Sequence, residues 1–386
     1  MTRLGDLIKP AKVIRCGTNQ YPVLSMTMHD GIMLQSDRFK KSLASADQSD
    51  YKVVNYGQLA VGFPIDEGVL YIQRVVPTGI MSPAYSVWDV NYDIVDPLYL
   101  ELSLHSPQAM QYYKENLRGT TARRRSIPTD TLLALPLRLP SLEEQRKIAA
   151  VLDKVSDLIA KRRQQLDKLD EIVKARFVEM FGDPMSNPYC WNLKGLLQLG
   201  DCKNGMNFHS TDVGVNIHCL GVGDFKNLSR ISDTSKLPTI SLTDMPSDEY
   251  MLKDGDIVFV RSNGNKALVG RSLAVYPATI PTTFSGFCIR FRLHSDEVKA
   301  DYLLRVLKTD SIRKKMAGRG ANIQNLNQKI LGELQIPVPP LELQNQFSVF
   351  VEQTDKIKNT IGNSLEKLEV LKKALMQEYF YDKNRL

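Results

Sequence analysis

The chain has 386 residues, of which 43% are hydrophobic and 24% charged, and a formal net charge of +7. That composition is ordinary for a globular protein, the length admits two or more domains, and the basic excess admits a polyanionic partner without requiring one. Cys16, Cys190, Cys202, Cys219 and Cys288 form no CxxC pair, which argues against a disulfide framework or a zinc ribbon. No signal-peptide core and no run of about 18 apolar residues is present, so a cytoplasmic location with no membrane contact is expected.

In chain order, residues 1–137 read as a mixed α/β segment. The stretches 51–57, 68–73 and 86–90 have strand composition between turns, and 97–117 reads as helical. A basic loop with one aromatic lies earlier, containing Arg38, Phe39, Lys40 and Lys41. The segment closes on Arg118-Gly119-Thr120-Thr121-Ala122-Arg123-Arg124-Arg125-Ser126. Pro140 then stops whatever precedes it. Ser141 suits an N-cap, Glu143 and Glu144 occupy a first turn where the helix dipole favours acids, and Gly182-Asp183-Pro184 ends the run. The apolar seam of this helix is Ile148, Leu152, Val155, Ile159, Leu166, Leu169 and Val173, with Arg162 as its polar break. Steps of four and three make it a heptad.

Residues 183–336 follow a similar course and hold the clearest charge excess, with 19 Lys/Arg against 15 Asp/Glu in 183–335. A turn and strand are expected at 252–260, a strand with alternating arginines at 287–293, and helix at 299–316. From 337 onward a second long helix is expected, with Phe347, Val351, Thr354, Lys358, Ile361, Leu365, Leu368, Lys372 and Leu375 along its seam.

The two halves repeat. Leu139-Pro140-Ser141-Leu142-Glu143-Glu144-Gln145 matches Val338-Pro339-Pro340-Leu341-Glu342-Leu343-Gln344 at a displacement of 199 residues. Without a gap, Leu166-Asp167-Lys168-Leu169 then falls on Leu365-Glu366-Lys367-Leu368, Phe181 on Phe380, and Gly119 on Gly318. The expected fold is therefore mixed α+β, a tandem pseudo-repeat. Its parts are a globular domain over 1–137, a helix over 138–182, a second domain over 183–336 and a helix over 337–386. The seams predict an antiparallel coiled coil between the helices; the plain alternative packs each helix on its own domain. About 40 helical residues span roughly 60 Å, which suits a spacer.

Three stretches suit DNA. Arg118, Arg123, Arg124 and Arg125 in the first domain occupy the repeat position of Arg319, Asn322, Gln324 and Asn325 in the second. Arginine reaches phosphates or guanine edges, asparagine and glutamine pair with adenine, and glycine lets the main chain approach. Arg261, Asn263, Asn265 and Lys266 leave a strand at a glycine turn, and Arg271 follows. Arg38, Lys40 and Lys41 form the third. A solvated basic face or an ordinary polar hairpin is the plain alternative for each. Catalytic signatures are missing: there is no Walker A sequence, no glycine-rich SAM loop and no Asn/Asp-Pro-Pro-aromatic sequence. Cys202, His209, His218 and Cys219 have no standard zinc spacing, so no metal site is expected.

Two variable segments, each followed by a Leu-Pro-Ser-Leu-Glu-Glu-Gln or Pro-Pro-Leu-Glu-Leu-Gln helix start, resemble the DNA-specificity subunits of type I restriction–modification systems. Phe177-Val178-Glu179-Met180-Phe181-Gly182-Asp183-Pro184, Gly255-Asp256-Ile257 and the glycine-rich loops before each helix are also similar to that family. Tyr56-Gly57-Gln58-Leu59 departs from its Gly-Asp-Ile pattern. The resemblance implies two target-recognition domains reading a bipartite site in double-stranded DNA, with the paired helices setting the gap. It also implies two methyltransferase subunits bringing SAM for adenine N6 methylation, and two motor–nuclease subunits using ATP and magnesium. The chain itself would hold no cofactor and no catalytic site.

Overall fold

The computed structural model describes residues 2–28, 31–38, 47–118, 125–208, 213–225, 228–265, 268–317 and 325–380. The chain divides into two compact units, Met1–Arg163 with Asn363–Leu386, and Gln164–Gly362. Neither long helix belongs wholly to one unit. The central helix, Leu142–Phe181, and the last helix, Leu341–Phe380, are each 40 residues long. The first unit holds the start of the central helix and the end of the last one; the second unit holds the remaining parts.

The first unit is built on a four-stranded antiparallel sheet in the order Ile8–Pro10, Ser86–Val90, Leu59–Val61, Leu70–Ile72. Two separate antiparallel pairs, Leu24–Met26 with Ile32–Leu34 and Lys52–Asn55 with Thr78–Met81, contribute Leu24, Val54 and Met81 to a small core with Ala60. The expected helical stretch is two helices, Pro97–Leu104 and Pro107–Glu115. Each starts with a proline, after an Asp96 or Ser106 cap that accepts from a main-chain N–H. Proline is tolerated there because the first N–H of a helix has no internal partner.

The second unit repeats this plan with more strands. Its five-stranded sheet runs Gly200–Asn204, Cys288–Leu293, Asp256–Val260, Ser272–Val275, Arg230–Ile231, with only the last pair parallel. A three-stranded sheet of Thr239–Leu242, Val215–Leu220 and Thr282–Phe284 adds a second layer. Asp256–Val260 is buried along its whole length, so the strand reads as an unbroken apolar run rather than an alternating one. Helices Ala300–Lys308 and Asp310–Ala317 take the place of the two proline-started helices.

The departure at Tyr56-Gly57-Gln58-Leu59 has a structural meaning. Gly57 and Gly255 both precede a central strand and both adopt positive φ, +88° and +84°. The turn is thus kept and the side-chain chemistry changes. In the second unit Asp256 is buried and binds Arg292 at 2.8 Å. At the corresponding register of the first unit, Gln58 donates to Asp89 at 2.7 Å.

Within each unit the two helix segments run antiparallel. In the first unit, Ile148 and Leu152 share a core with Met376 and Phe380, and Arg163 reaches Glu369 at 2.6 Å. In the second, Phe177 and Phe181 pack on Phe347 with ring centroids 5.6 Å apart, and Lys358 reaches Asp170 at 2.5 Å. These cores are the same set displaced by 199 residues, which takes Ile148 to Phe347 and Phe181 to Phe380. Tyr99 packs against Phe380 with a tilted ring as Tyr302 packs edge-on against Phe181. Along the seam, Ile148, Leu152, Val155, Ile159 and Val173 are buried. Leu166, Leu169, Val351, Ile361, Leu365 and Leu368 are half-buried.

Candidate nucleic-acid interface

In the second unit, four segments distant in sequence meet at one end of the sheet. The turn 261–265 leaves the strand Asp256–Val260. Arg261 and Ser262 donate their main-chain N–H groups to the Phe287 carbonyl at 2.8 and 3.4 Å. On the other side Leu326 donates to the Arg261 carbonyl at 2.8 Å, and Ser262 bridges to Asn325. Two of the three stretches read from sequence as DNA-facing therefore lie side by side. The fourth segment is the loop after Gly200–Asn204: Gly286 donates to the Met206 carbonyl at 2.8 Å, and Met206 bridges to Ser285.

Glycine makes this crossing possible. A Cβ on Gly205 would stand 2.1 Å from the Ser285 carbonyl oxygen, and one on Gly286 would stand 2.1 Å from Asn207 Oδ1. At Gly205 no side chain fits, because two main chains approach closely there; at Gly286 the neighbour is the Asn207 side chain, which would have to move. The product is a rim of hydrogen-bonding groups around one aromatic ring, Phe287, which is 62% exposed. Sequence reasoning missed Phe287, Asn204 and Asn207. The available signal was an apolar residue inside a glycine turn between two strand runs, where burial has no claim on it.

The other expected contacts divide. Arg261 Nη1 donates to the Gly286 carbonyl at 3.3 Å, and Asn263 Oδ1 accepts from Asn265 N–H at 2.7 Å. These side chains stiffen the turn as well as line it. Arg118 and Ser126 exchange main-chain hydrogen bonds of 2.9 and 3.3 Å. Arg125, read as a DNA contact, is held within the first unit by Asp66 at 2.7 Å and Glu67 at 3.6 Å. Asp66 is a buried carboxylate, and a buried charge needs a counter-charge. The alternating arginines of Cys288–Leu293 are likewise internal, with Arg290 on Asp201 at 2.6 Å and Arg292 on Asp256. Lys40, Lys41, Arg123, Arg124, Lys266, Arg319, Asn322 and Gln324, and the side chain of Arg38, lie outside the described residues.

Arg271 sits apart from the turn tip. It lies across the base of the same hairpin, where its carbonyl accepts from Val260 N–H at 2.8 Å. Its side chain lines a cleft of about 460 Å³ with Lys174, Arg305, Lys308 and Arg313. Of the suggested metal ligands, Cys202 and Cys219 have thiols pushed up to about 12 by burial, and His218 Nδ1 is bonded to the Leu237 carbonyl. Among the described residues no three His, Cys, Asp or Glu side chains converge on a common point. No described helix is long and apolar enough to cross a membrane.

A duplicated α+β chain, with antiparallel helix segments packed in each unit and polar loops gathered at one end of a sheet, has the architecture of a two-part recognition protein. Residues 221–370 match the family model described as the type I restriction modification DNA specificity domain. The chain is 23% identical to the type I restriction enzyme MjaVIII specificity subunit of Methanocaldococcus jannaschii, covering 97% of this chain and 90% of that one. It is 25% identical over 272 residues to the StySPI specificity subunit of Salmonella potsdam, of which it spans 57%. The fold matches that of the type I S subunit from M. genitalium, with TM-score 0.56 at 15% identity over 99% of this chain and 96% of that one. Along its length the chain is thus similar to the specificity subunits of type I restriction–modification systems, and residues 221–370 carry the match to their DNA specificity domain.

Proposed function

We propose that this chain is the address-reading subunit of a type I complex, with each unit reading one half of a bipartite DNA site. The observation that carries this reading is the duplication itself. One plan occurs twice: in each copy a sheet-bearing domain with two short helices precedes a 40-residue helix. One good bidentate base contact contributes about 1–3 kcal/mol of discrimination, so one small unit distinguishes few base pairs. Two units in one chain add their readouts and enforce a spacing. Arg261, Asn263, Asn265, Asn325 and Phe287 are assigned to the second half-site. Arg38, Lys40, Lys41, Arg118, Arg123 and Arg124 are assigned to the first.

The chemistry is assigned to partners. Two methyltransferase subunits dock on the helices and adjoining surfaces and bring SAM for adenine N6. Two motor–nuclease subunits, using ATP and magnesium, complete the restriction form. Such a complex works on DNA in the cytoplasm. The test is long-read methylome sequencing of a methylation-free host that expresses the chain with its methyltransferase partner. The expected result is a two-part N6-methyladenine motif with a fixed gap, present only with this chain. A stable complex that leaves no such motif would refute the reading.

A further inference from the structure

The cleft beside Arg271 is lined by Asp170, Glu171, Lys174, Arg271, Arg305, Lys308 and Arg313 among others, all in the second unit. Its carboxylates are already engaged elsewhere. Asp170 pairs with Lys358 at 2.5 Å and Glu171 with Lys168 at 2.8 Å. Lys174 in turn approaches Asp310 at 3.5 Å. Among the described residues, Arg305, Lys308 and Arg313 have no carboxylate within 4.0 Å. Lys308 instead donates to neutral oxygens, Ser229 Oγ at 2.7 Å and the Leu228 carbonyl at 3.3 Å. Arg305, Lys308 and Arg313, gathered at a concave wall without a direct ion pair and outnumbering the carboxylates beside them, raise the local positive potential and favour an anion of high charge density. Arginine forks match the geometry of phosphate oxygens.

The walls of this cleft are continuous with the reading loops. Arg271 lies across the hairpin from Val260, one rung below the turn that starts at Arg261. Arg313 approaches the other side of the same hairpin, with Nη1 3.6 Å from where a Cβ on Gly270 would stand. Its helix, Asp310–Ala317, is followed in the described chain by Asn325, which bridges to Ser262. A duplex whose bases meet the turn therefore brings its sugar–phosphate strand to the mouth of the cleft.

We propose that the cleft formed by Arg271, Arg305, Lys308 and Arg313 seats a backbone phosphate of the bound DNA and fixes the register in which the turn 261–265 meets the bases. This rests on the DNA-reading role argued above. Burial, followed by the neighbouring Arg305, holds the Lys308 pKa down to about 7, and burial also lowers those of Arg305 and Arg313. A phosphate would relieve that mutual repulsion.

The test uses the assembled methyltransferase complex with Arg313→Ala, Lys308→Met and the charge-keeping Arg313→Lys. Binding to cognate and scrambled duplexes is measured over a range of salt concentrations. Each neutral variant is expected to weaken both duplexes by about tenfold. It should also reduce the slope of log K against log salt by about 0.9, because one counterion-releasing contact is lost. Arg313→Lys should retain the slope. The methylated motif should stay the same, because phosphate contacts position the protein and do not specify sequence. Unchanged affinity and slope in both neutral variants would overturn the proposal. So would loss of the methyltransferase subunit with an unchanged slope, which would assign the cleft to an acidic protein surface. A wild-type complex that shows no preference for its cognate duplex would instead defeat the DNA-reading role itself.

Discussion

At the level of single residues, the repeat explains side chains whose spacing alone carried no role. Gln145 is buried; it accepts from Asp96 N–H at 2.8 Å and donates to the carbonyls of Pro140 and Ile94 at 2.8 and 3.1 Å. Gln344 does the same with Lys299, Pro339 and Glu297, at 2.8, 2.9 and 3.1 Å. The glutamine of each helix-start motif is thus a clasp between the long helix and the preceding domain, and it satisfies main-chain groups that burial would otherwise leave unpaired. Lys308 is a residue with the opposite balance. Its pKa is about 7 in the fold against an ordinary 10.5. Between those values the unfolded chain holds a proton that the folded chain has released, so this group's contribution to stability rises with pH across that window. The unfolding free energy of the wild type minus that of Lys308→Met is expected to grow between about pH 7 and pH 10 in denaturant titrations. A difference that stays flat would mean that Lys308 is as well solvated as a surface lysine.

At the level of elements, the long helices are held mainly by their ends. Phe347 is fully buried among Phe177, Phe181 and Tyr302. Phe347→Ala should cost about 3–5 kcal/mol, through lost transfer energy and the cavity left behind. By contrast, Arg163 and Glu369 meet at 2.6 Å with side chains 62% and 47% exposed. An exposed pair of this kind contributes about 0–1 kcal/mol, so Glu369→Ala should barely move the same unfolding midpoint. Comparable losses in the two variants would contradict this division. The polar breaks in the seam also resolve here. Buried Thr354 returns its hydroxyl to the Phe350 carbonyl one turn back at 2.9 Å, and Lys358 is answered by Asp170 on the other helix.

At the level of the whole molecule, the helices connect the two reading units in sequence, and the proposed function makes their length a measured quantity. Four residues inserted after Ala160 add roughly 6 Å of helix, about one turn. The gap in the methylated motif is expected to lengthen while both half-sites persist. A motif with its original gap, from a complex that still assembles, would remove the helices' role as a spacer.

Much of this architecture was legible in the sequence, because a duplication at a constant displacement and a heptad seam are one-dimensional patterns that follow directly from helix geometry. The Ser141 cap and the strands at 86–90 and 256–260 were legible for the same local reason, whereas the match of the Gly57 turn to the Gly255 turn emerged only from their shared positive φ. The assignment of charges was not. Arg125, Arg290 and Arg292 look alike in sequence to Arg305 and Arg313, yet the first three meet carboxylates brought from elsewhere in the chain and the last two do not. Nor could the sequence show that Phe287 would be pushed outward between Arg261 and Met206, since that follows from the meeting of four segments at one end of the sheet. Periodicity records which face of an element is buried; only the tertiary fold decides which charges find a partner and which are left facing outward for one.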